Sequence, residues 1–117
     1  MSSPHNKSAA VTAALADLDA GRTPDRTTLR DAVRTLLSDL SRAAPGRAVE
    51  VRVPPYGAIQ CCVGPRHTRG TPPNVVEMAP ETWIRLATGR MSWSAAVDEG
   101  LLQTSGNRSD ISPYLPI

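Results

Sequence analysis

The sequence predicts one α+β domain, and three observations support this expectation. The chain has 117 residues, the length of a single ordinary domain. Apolar residues recur at helical spacing through the first 44 residues, and a strictly alternating strand pattern follows at residues 49–53. Two short helices, a last strand and a tail follow, and this order of secondary-structure elements favours an α+β fold.

Two helices are predicted in the N-terminal third. Residues 1–8 are polar, so we expect a flexible N-terminus, with a single domain spanning residues 9–117. Ala9–Ala20 and Thr27–Ala44 each place apolar residues at three- and four-residue steps. Gly21 ends the first helix, and Pro45 and Gly46 end the second.

Strands are predicted in the middle of the chain. Val49, Val51 and Val53 alternate with polar residues, which is typical of a half-buried strand. After the Pro54-Pro55 turn, Tyr56–Val63 is predicted to form a second strand and thus a hairpin. Short strands are expected at Val75–Met78 and Leu101–Ser105.

Two short helices lie between these last strands. Pro80–Ala87 is the first, because proline suits a first helical turn and Glu81 favours the positive end of the helix dipole. Ser92 is the expected N-cap of the second, which runs to Glu99 and ends at Gly100. Prolines limit any helix in the tail to one or two turns.

Charge and cysteine content exclude several classes of protein. Thirteen basic and 11 acidic residues give a net charge of +2 without a basic stripe, so no nucleic-acid partner is expected. No stretch approaches the ~20 apolar residues of a membrane span, so no membrane insertion is expected.

Neighbouring strand residues point to opposite faces, so Cys61 and Cys62 should not form an ordinary disulfide. We therefore expect a cytoplasmic protein.

The C-terminal part carries a series of short motifs in a recognisable order. They are the Thr88-Gly89-Arg90 step, the Ser/Ala-rich run 94–97, Gly100, the strand 101–104 and the turn Ser105-Gly106-Asn107. The run from Pro73 onward thereby resembles the C-terminal half of the sterol-carrier-protein-2 family. The stretch PGRAVEVRVPPYGAIQCCVGPRHTRGTPPN resembles a bacterial, mostly actinobacterial, subgroup of sterol carrier family proteins.

The resemblance implies a sterol-carrier-like fold, with a twisted sheet of about five strands and helices on one side. It also implies an apolar tunnel that binds fatty acyl chains, acyl-CoA, sterols or phospholipids without catalysis. In some bacterial proteins a similar domain is the appendage of an enzyme. The partner expected from the resemblance is therefore an apolar or lipid ligand, and no cofactor is expected.

Seven apolar residues near the C-terminus are the candidates for the pocket wall. They are Trp83, Leu86, Met91, Trp93, Val97, Leu102 and Leu115. Methionine suits such a wall because its side chain adapts to varied shapes. The same stripe would equally fit an ordinary hydrophobic core.

A proline-rich loop supplies the candidate head-group site. Arg66, His67 and Arg69 could hold a carboxylate or phosphate, since the arginine fork donates two parallel hydrogen bonds. A solvated surface loop is the alternative interpretation.

Other functions are kept as alternatives to a non-enzymatic carrier. The lack of Phe and the short tail favour an interaction module with a collapsed pocket, which would serve an enzyme or form a homodimer. A small enzyme could instead use Cys61 as nucleophile and His67 as base. Two histidines and adjacent cysteines do not have the spacing of a metal site.

Overall fold

The computed structural model describes residues 8–64 and 74–117 and contains four helices and four strands. The elements in chain order are α1 (Ala9–Asp19), α2 (Arg26–Ala43), β1 (Val49–Val53), β2 (Gly57–Cys61), β3 (Asn74–Glu77), α3 (Pro80–Ala87), α4 (Trp93–Asp98) and β4 (Gln103–Ser105). A 3-10 turn follows at Ser112–Tyr114. The predicted α+β class is confirmed.

The four strands form one open sheet in the order β2-β1-β3-β4. β1 and β2 form the predicted antiparallel hairpin, in which Val51 is opposite Ile59. β3 runs parallel to β1, and β4 runs antiparallel to β3. The expectation of about five strands is not met in the described part of the chain, which has four.

The ends of the helices follow the capping residues of the sequence. Ser8 caps α1 by accepting a hydrogen bond from the Val11 amide at 3.3 Å. The Asp25 carboxylate caps α2 by accepting from the Thr28 amide at 2.8 Å, and this hydrogen bond lowers the pKa of Asp25. No described helix has the length and apolar character needed to cross a membrane.

The core lies between the helices and one face of the sheet. Val49, Val51 and Val53 of β1 are buried, while Arg52 between them is exposed. α2 packs against β2 and against both α1 and α3. The other face of the sheet is largely polar, as is usual for a sheet covered on one side. That face carries Glu50, Arg52, Ala58, Gln60, Val75, Glu77, Gln103 and Ser105.

Two strands are shorter than predicted. β2 ends at Cys61 because Cys62 has a left-handed backbone with φ 72°, which cannot continue a strand. β4 begins only at Gln103, since the Leu101 amide bonds back to the Ala96 carbonyl and so extends the end of α4. The strand at Leu101–Ser105 is therefore confirmed only in its second half.

Candidate functional site

A groove of about 350 Å³ lies between the end of α3, the start of α4 and the C-terminal tail. It is open to the surface and lined by Leu86, Gly89, Met91, Ser92, Trp93, Ser112, Leu115 and Pro116. Leu86 is buried, whereas Met91, Trp93 and Leu115 are half-buried and so leave apolar surface free for a ligand. We call this the α3–tail groove.

The C-terminal tail forms one wall of the groove. Contacts before and after that wall hold the tail to the domain. Ile111 is fully buried and anchors its start. The 3-10 turn is closed by the hydrogen bond from the Leu115 amide to the Ser112 carbonyl, at 3.1 Å. The amide of Ile117 donates to the Ala87 carbonyl at 2.9 Å, which ties the last residue to the end of α3. Leu115 and Pro116 are thus held in the groove wall, next to the end of α3.

The turn from α3 to α4 forms the opposite rim. The hydroxyl of Thr88 donates to the Ile84 carbonyl at 2.6 Å, and the Arg90 amide donates to the Arg85 carbonyl at 2.8 Å. Gly89 lies between them with φ 80°, a conformation that favours glycine. Ser92 then begins α4 by accepting from the Ala95 amide at 3.1 Å. This short connection places Met91 and Trp93 in the wall.

The groove has the chemistry of a binding site for an apolar group. None of its eight lining residues carries a charge, and the polar side-chain groups among them are the hydroxyls of Ser92 and Ser112 and the indole N–H of Trp93. Serine hydroxyls both donate and accept hydrogen bonds, so they can orient a polar end without favouring one charge. Small-molecule sites commonly combine such an apolar wall with few polar groups.

Four of the seven predicted apolar residues meet in this groove: Leu86, Met91, Trp93 and Leu115. Trp83 does not, since it is fully buried in the core and its indole N–H donates to the Val33 carbonyl at 3.3 Å. The helical spacing could not separate Trp83 from Leu86, because both positions of α3 face inward.

The other two predicted apolar residues lie outside the lining of this groove. Val97 is 53% exposed on α4, because the buried position of that helix is Ala96. Leu102 is half-buried and packs against the edge of the core. The predicted clamp residues Arg66, His67 and Arg69 lie outside the described residues, so the anion site stays a prediction.

Sequence reasoning missed four lining residues: Gly89, Ser92, Ser112 and Pro116. Gly89 belongs to the Thr88-Gly89-Arg90 step of the sequence and Ser92 is the predicted N-cap of α4, and their positions at the ends of α3 and α4 bring them to the rim. Ser112 and Pro116 carry no apolar periodicity, and their place in the wall depends on the long-range bond between Ile117 and Ala87.

The cysteine pair differs from its prediction. The two sulfur atoms do not point to opposite faces: Sγ of Cys62 lies 3.3 Å from Sγ of Cys61, and both side chains are buried. Burial, together with the hydrogen bond between the Cys61 and Cys62 thiols, raises the pKa of Cys61 to about 12. Cys61 is therefore a poor nucleophile at neutral pH, and its proposed base His67 lies outside the described residues.

The described residues contain no cluster of metal-ligating side chains. Within residues 8–64 and 74–117, no three His, Cys, Asp or Glu side chains are grouped so that they could hold a metal ion. The α3–tail groove is the described groove in which four of the predicted apolar residues meet.

Comparison with known protein families gives a match. A search of curated proteins finds no match for the chain. The model of a family described as "Bacterial SCP ortholog" matches residues 25–117, from the N-cap of α2 to the last residue of the tail. This match covers most of the chain and all of the α3–tail groove. The chain therefore belongs to this bacterial sterol-carrier-protein-like family.

Proposed function

We propose that the protein is a non-enzymatic carrier that binds the acyl chain of a lipid-type ligand in the α3–tail groove. The observation that supports this most directly is the convergence of Leu86, Met91, Trp93 and Leu115 on one uncharged groove. Membership of the bacterial SCP family supports the same class of function. The proposal includes a cytoplasmic location, where the lipid would be passed between sites.

The size of the groove favours a single chain over a bulky ligand. Its volume of about 350 Å³ is near the lower end of the ~300–1,000 Å³ of ordinary ligand pockets. Burial of each methylene contributes ~0.8 kcal/mol, so affinity should rise about fourfold with each added carbon. We expect this gain to stop when the chain is longer than the groove.

Trp93 provides a reporter for the proposed site. The chain contains two tryptophans, of which Trp83 is fully buried and Trp93 is half-buried in the groove wall. Titration with saturated fatty acids of roughly six to twelve carbons should therefore change Trp93 emission saturably. A flat emission at all chain lengths would contradict the proposed site.

The matched control is Trp93→Phe. This variant keeps an aromatic ring in the wall, so it should still bind decanoate when binding is measured by native mass spectrometry. It should lose the change in emission, because the remaining Trp83 is shielded within the core. An unchanged signal in Trp93→Phe would place the ligand beside Trp83 instead.

An interaction module is the second candidate, and one observation favours it. Trp83, expected in the wall of a tunnel, instead fills the core and is held there by Val33. An open groove could then receive an apolar side chain of an enzyme partner or of a second copy. A module of this kind would bind no fatty acid, and sedimentation at rising concentration would reveal self-association.

A further inference from the structure

Two thiols meet at the end of β2, away from the lining of the α3–tail groove. Sγ of Cys62 lies 3.3 Å from Sγ of Cys61. Adjacent side chains of a regular strand point to opposite faces of the sheet, so regular β geometry would hold the two sulfur atoms apart. The left-handed backbone of Cys62, with φ 72°, breaks this alternation and allows the sulfurs to approach.

The unusual backbone of Cys62 is held from both sides by a neighbouring loop. Its amide donates to the Ala44 carbonyl at 2.7 Å, and its carbonyl accepts from the Ala48 amide at 3.0 Å. Gly46 lies against that carbonyl, where a Cβ atom would be 2.0 Å from the oxygen. Among the described residues Cys62 is the one non-glycine residue with a positive φ. The approach of the sulfurs is thus built into the backbone.

A second groove gives access to one of the two thiols. Its volume is about 260 Å³, and Ala48, Cys62, Val63 and Tyr114 are among the residues that line it. Cys62 keeps 6% of its surface exposed, whereas Cys61 is fully buried. A small reagent in this groove would therefore meet Cys62 first.

We propose that Cys61 and Cys62 form a modification site for low-molecular-weight disulfides, which convert the pair reversibly into a vicinal disulfide. The thiolate of Cys62 attacks one sulfur of the reagent, and a mixed disulfide forms as the first reagent thiolate leaves. Cys61 is a poor nucleophile toward external reagents, but its Sγ already lies 3.3 Å from that of Cys62. It gives up its proton to the reagent thiolate released in the first step and attacks Sγ of Cys62, which releases the second reagent thiolate. Two protein thiols are oxidised by two electrons, and the reagent is reduced to two thiols that take up the two protons.

The product should be easily reduced. The Cα atoms of adjacent residues are roughly 3.8 Å apart across a trans peptide, whereas ordinary disulfides join Cα atoms roughly 4.4–6.8 Å apart. The eight-membered ring is therefore strained, and strained disulfides have the higher reduction potentials typical of labile or regulatory bonds. We expect the dithiol form unless the disulfide reagent is in excess.

The test treats the native full chain with 2-hydroxyethyl disulfide in excess, followed by alkylation of free thiols and intact-mass measurement. The expected product has lost two hydrogens, carries no reagent and takes up no alkyl group, and dithiothreitol restores both thiols. A chain that stays unmodified, or that keeps a stable reagent adduct, would overturn the proposal. This measurement needs no variant, so it does not depend on the folding of one.

Two serine variants test the order of the reaction. Cys61→Ser should accumulate one mixed disulfide at Cys62, because the attacking thiol is retained and the resolving thiol is absent. Cys62→Ser should react at least about tenfold more slowly, because Cys61 is fully buried. Equal rates for the two variants would contradict the proposal that Cys62 reacts first with the reagent.

Two glycine variants test the role of the backbone. Gly46→Ala would displace the Cys62 carbonyl, so the fraction of vicinal disulfide at a fixed ratio of reagent disulfide to thiol should fall at least about tenfold. Gly21→Ala is the matched control, since Gly21 also has a positive φ but nothing lies within 4 Å of the added carbon. Equal losses in both variants would show that the backbone at Cys62 has no specific role.

Discussion

The amide of Ile117 donates a hydrogen bond to the carbonyl oxygen of Ala87 at 2.9 Å, joining the end of the tail to the end of α3. Carbonyl groups in the last turn of a helix lack partners within the helix, so this bond satisfies one of them. It also holds Leu115 and Pro116 as one wall of the α3–tail groove. The shape of the proposed ligand site therefore depends on a contact between two distant parts of the sequence.

Removal of this hydrogen bond should weaken ligand binding. Ile117→Pro lacks the amide hydrogen, and a typical net contribution of about 1 kcal/mol predicts about fivefold weaker binding of decanoate. Ile117→Ala is the control, because it keeps the amide while it shortens the side chain. Isothermal titration calorimetry on both variants separates the effects, and equal affinities would show that the bond does not shape the groove.

Leu115 should contribute directly to affinity. It is half-buried in the groove, so Leu115→Ser should weaken decanoate binding about tenfold by removing apolar contact. The adjacent Tyr114 lines the other groove, beside Cys62, and Tyr114→Ser should therefore change the affinity less than about twofold. The same loss in both variants would indicate that the tail as a whole is disturbed.

Trp83 should determine stability. Trp83→Ala empties a fully buried position and should lower the free energy of unfolding by about 3–5 kcal/mol. Val97→Ala, at a position that is 53% exposed, should change it by less than about 0.5 kcal/mol. Urea denaturation followed by circular dichroism measures both, and a small loss for Trp83→Ala would contradict its place in the core.

Helices and strands that are specified by neighbouring residues could be predicted from the sequence. The apolar steps of α2, the alternation of β1 and the serine cap of α4 each lie within a few residues, and each element is found where it was predicted. Capping and periodicity depend on neighbours along the chain, so one sequence reveals them.

Features that depend on long-range contacts could not be predicted in this way. Backbone hydrogen bonds to Ala44 and Ala48 hold Cys62 in the conformation that ends β2. A backbone hydrogen bond to Ala87 holds the end of the tail. An apolar position on α3 can face either the core or a groove, so spacing placed Trp83 and Leu86 together although they differ in surroundings. Only the packing of other elements decides between these outcomes.

The raised pKa of Cys61 predicts a loss of stability in alkaline solution. Its pKa is about 12 in the folded chain, against an ordinary value of 9.0. Between these values the unfolded chain loses this proton while the folded chain keeps it, so the free energy of unfolding should fall as pH rises from 9 to 12. Below pH 9 both states hold the proton, and this contribution to stability is fully present.

Cys61→Ala is the control for that pH dependence. Other groups also titrate in strong alkali, so the quantity to compare is the difference between the two proteins at each pH. Urea denaturation between pH 7 and about 10.5 should show the wild-type chain losing stability faster than the variant. Parallel profiles would mean that Cys61 titrates alike in both states.

Native mass spectrometry of the protein, purified without detergent, tests the carrier function most directly when any bound lipid is then extracted and identified. We predict one lipid-type molecule with an acyl chain per protein chain, or one added decanoate that Leu115→Ser binds less tightly. A ligand-free mass that does not shift with fatty acid, acyl-CoA or sterol would contradict the carrier function and favour the interaction module.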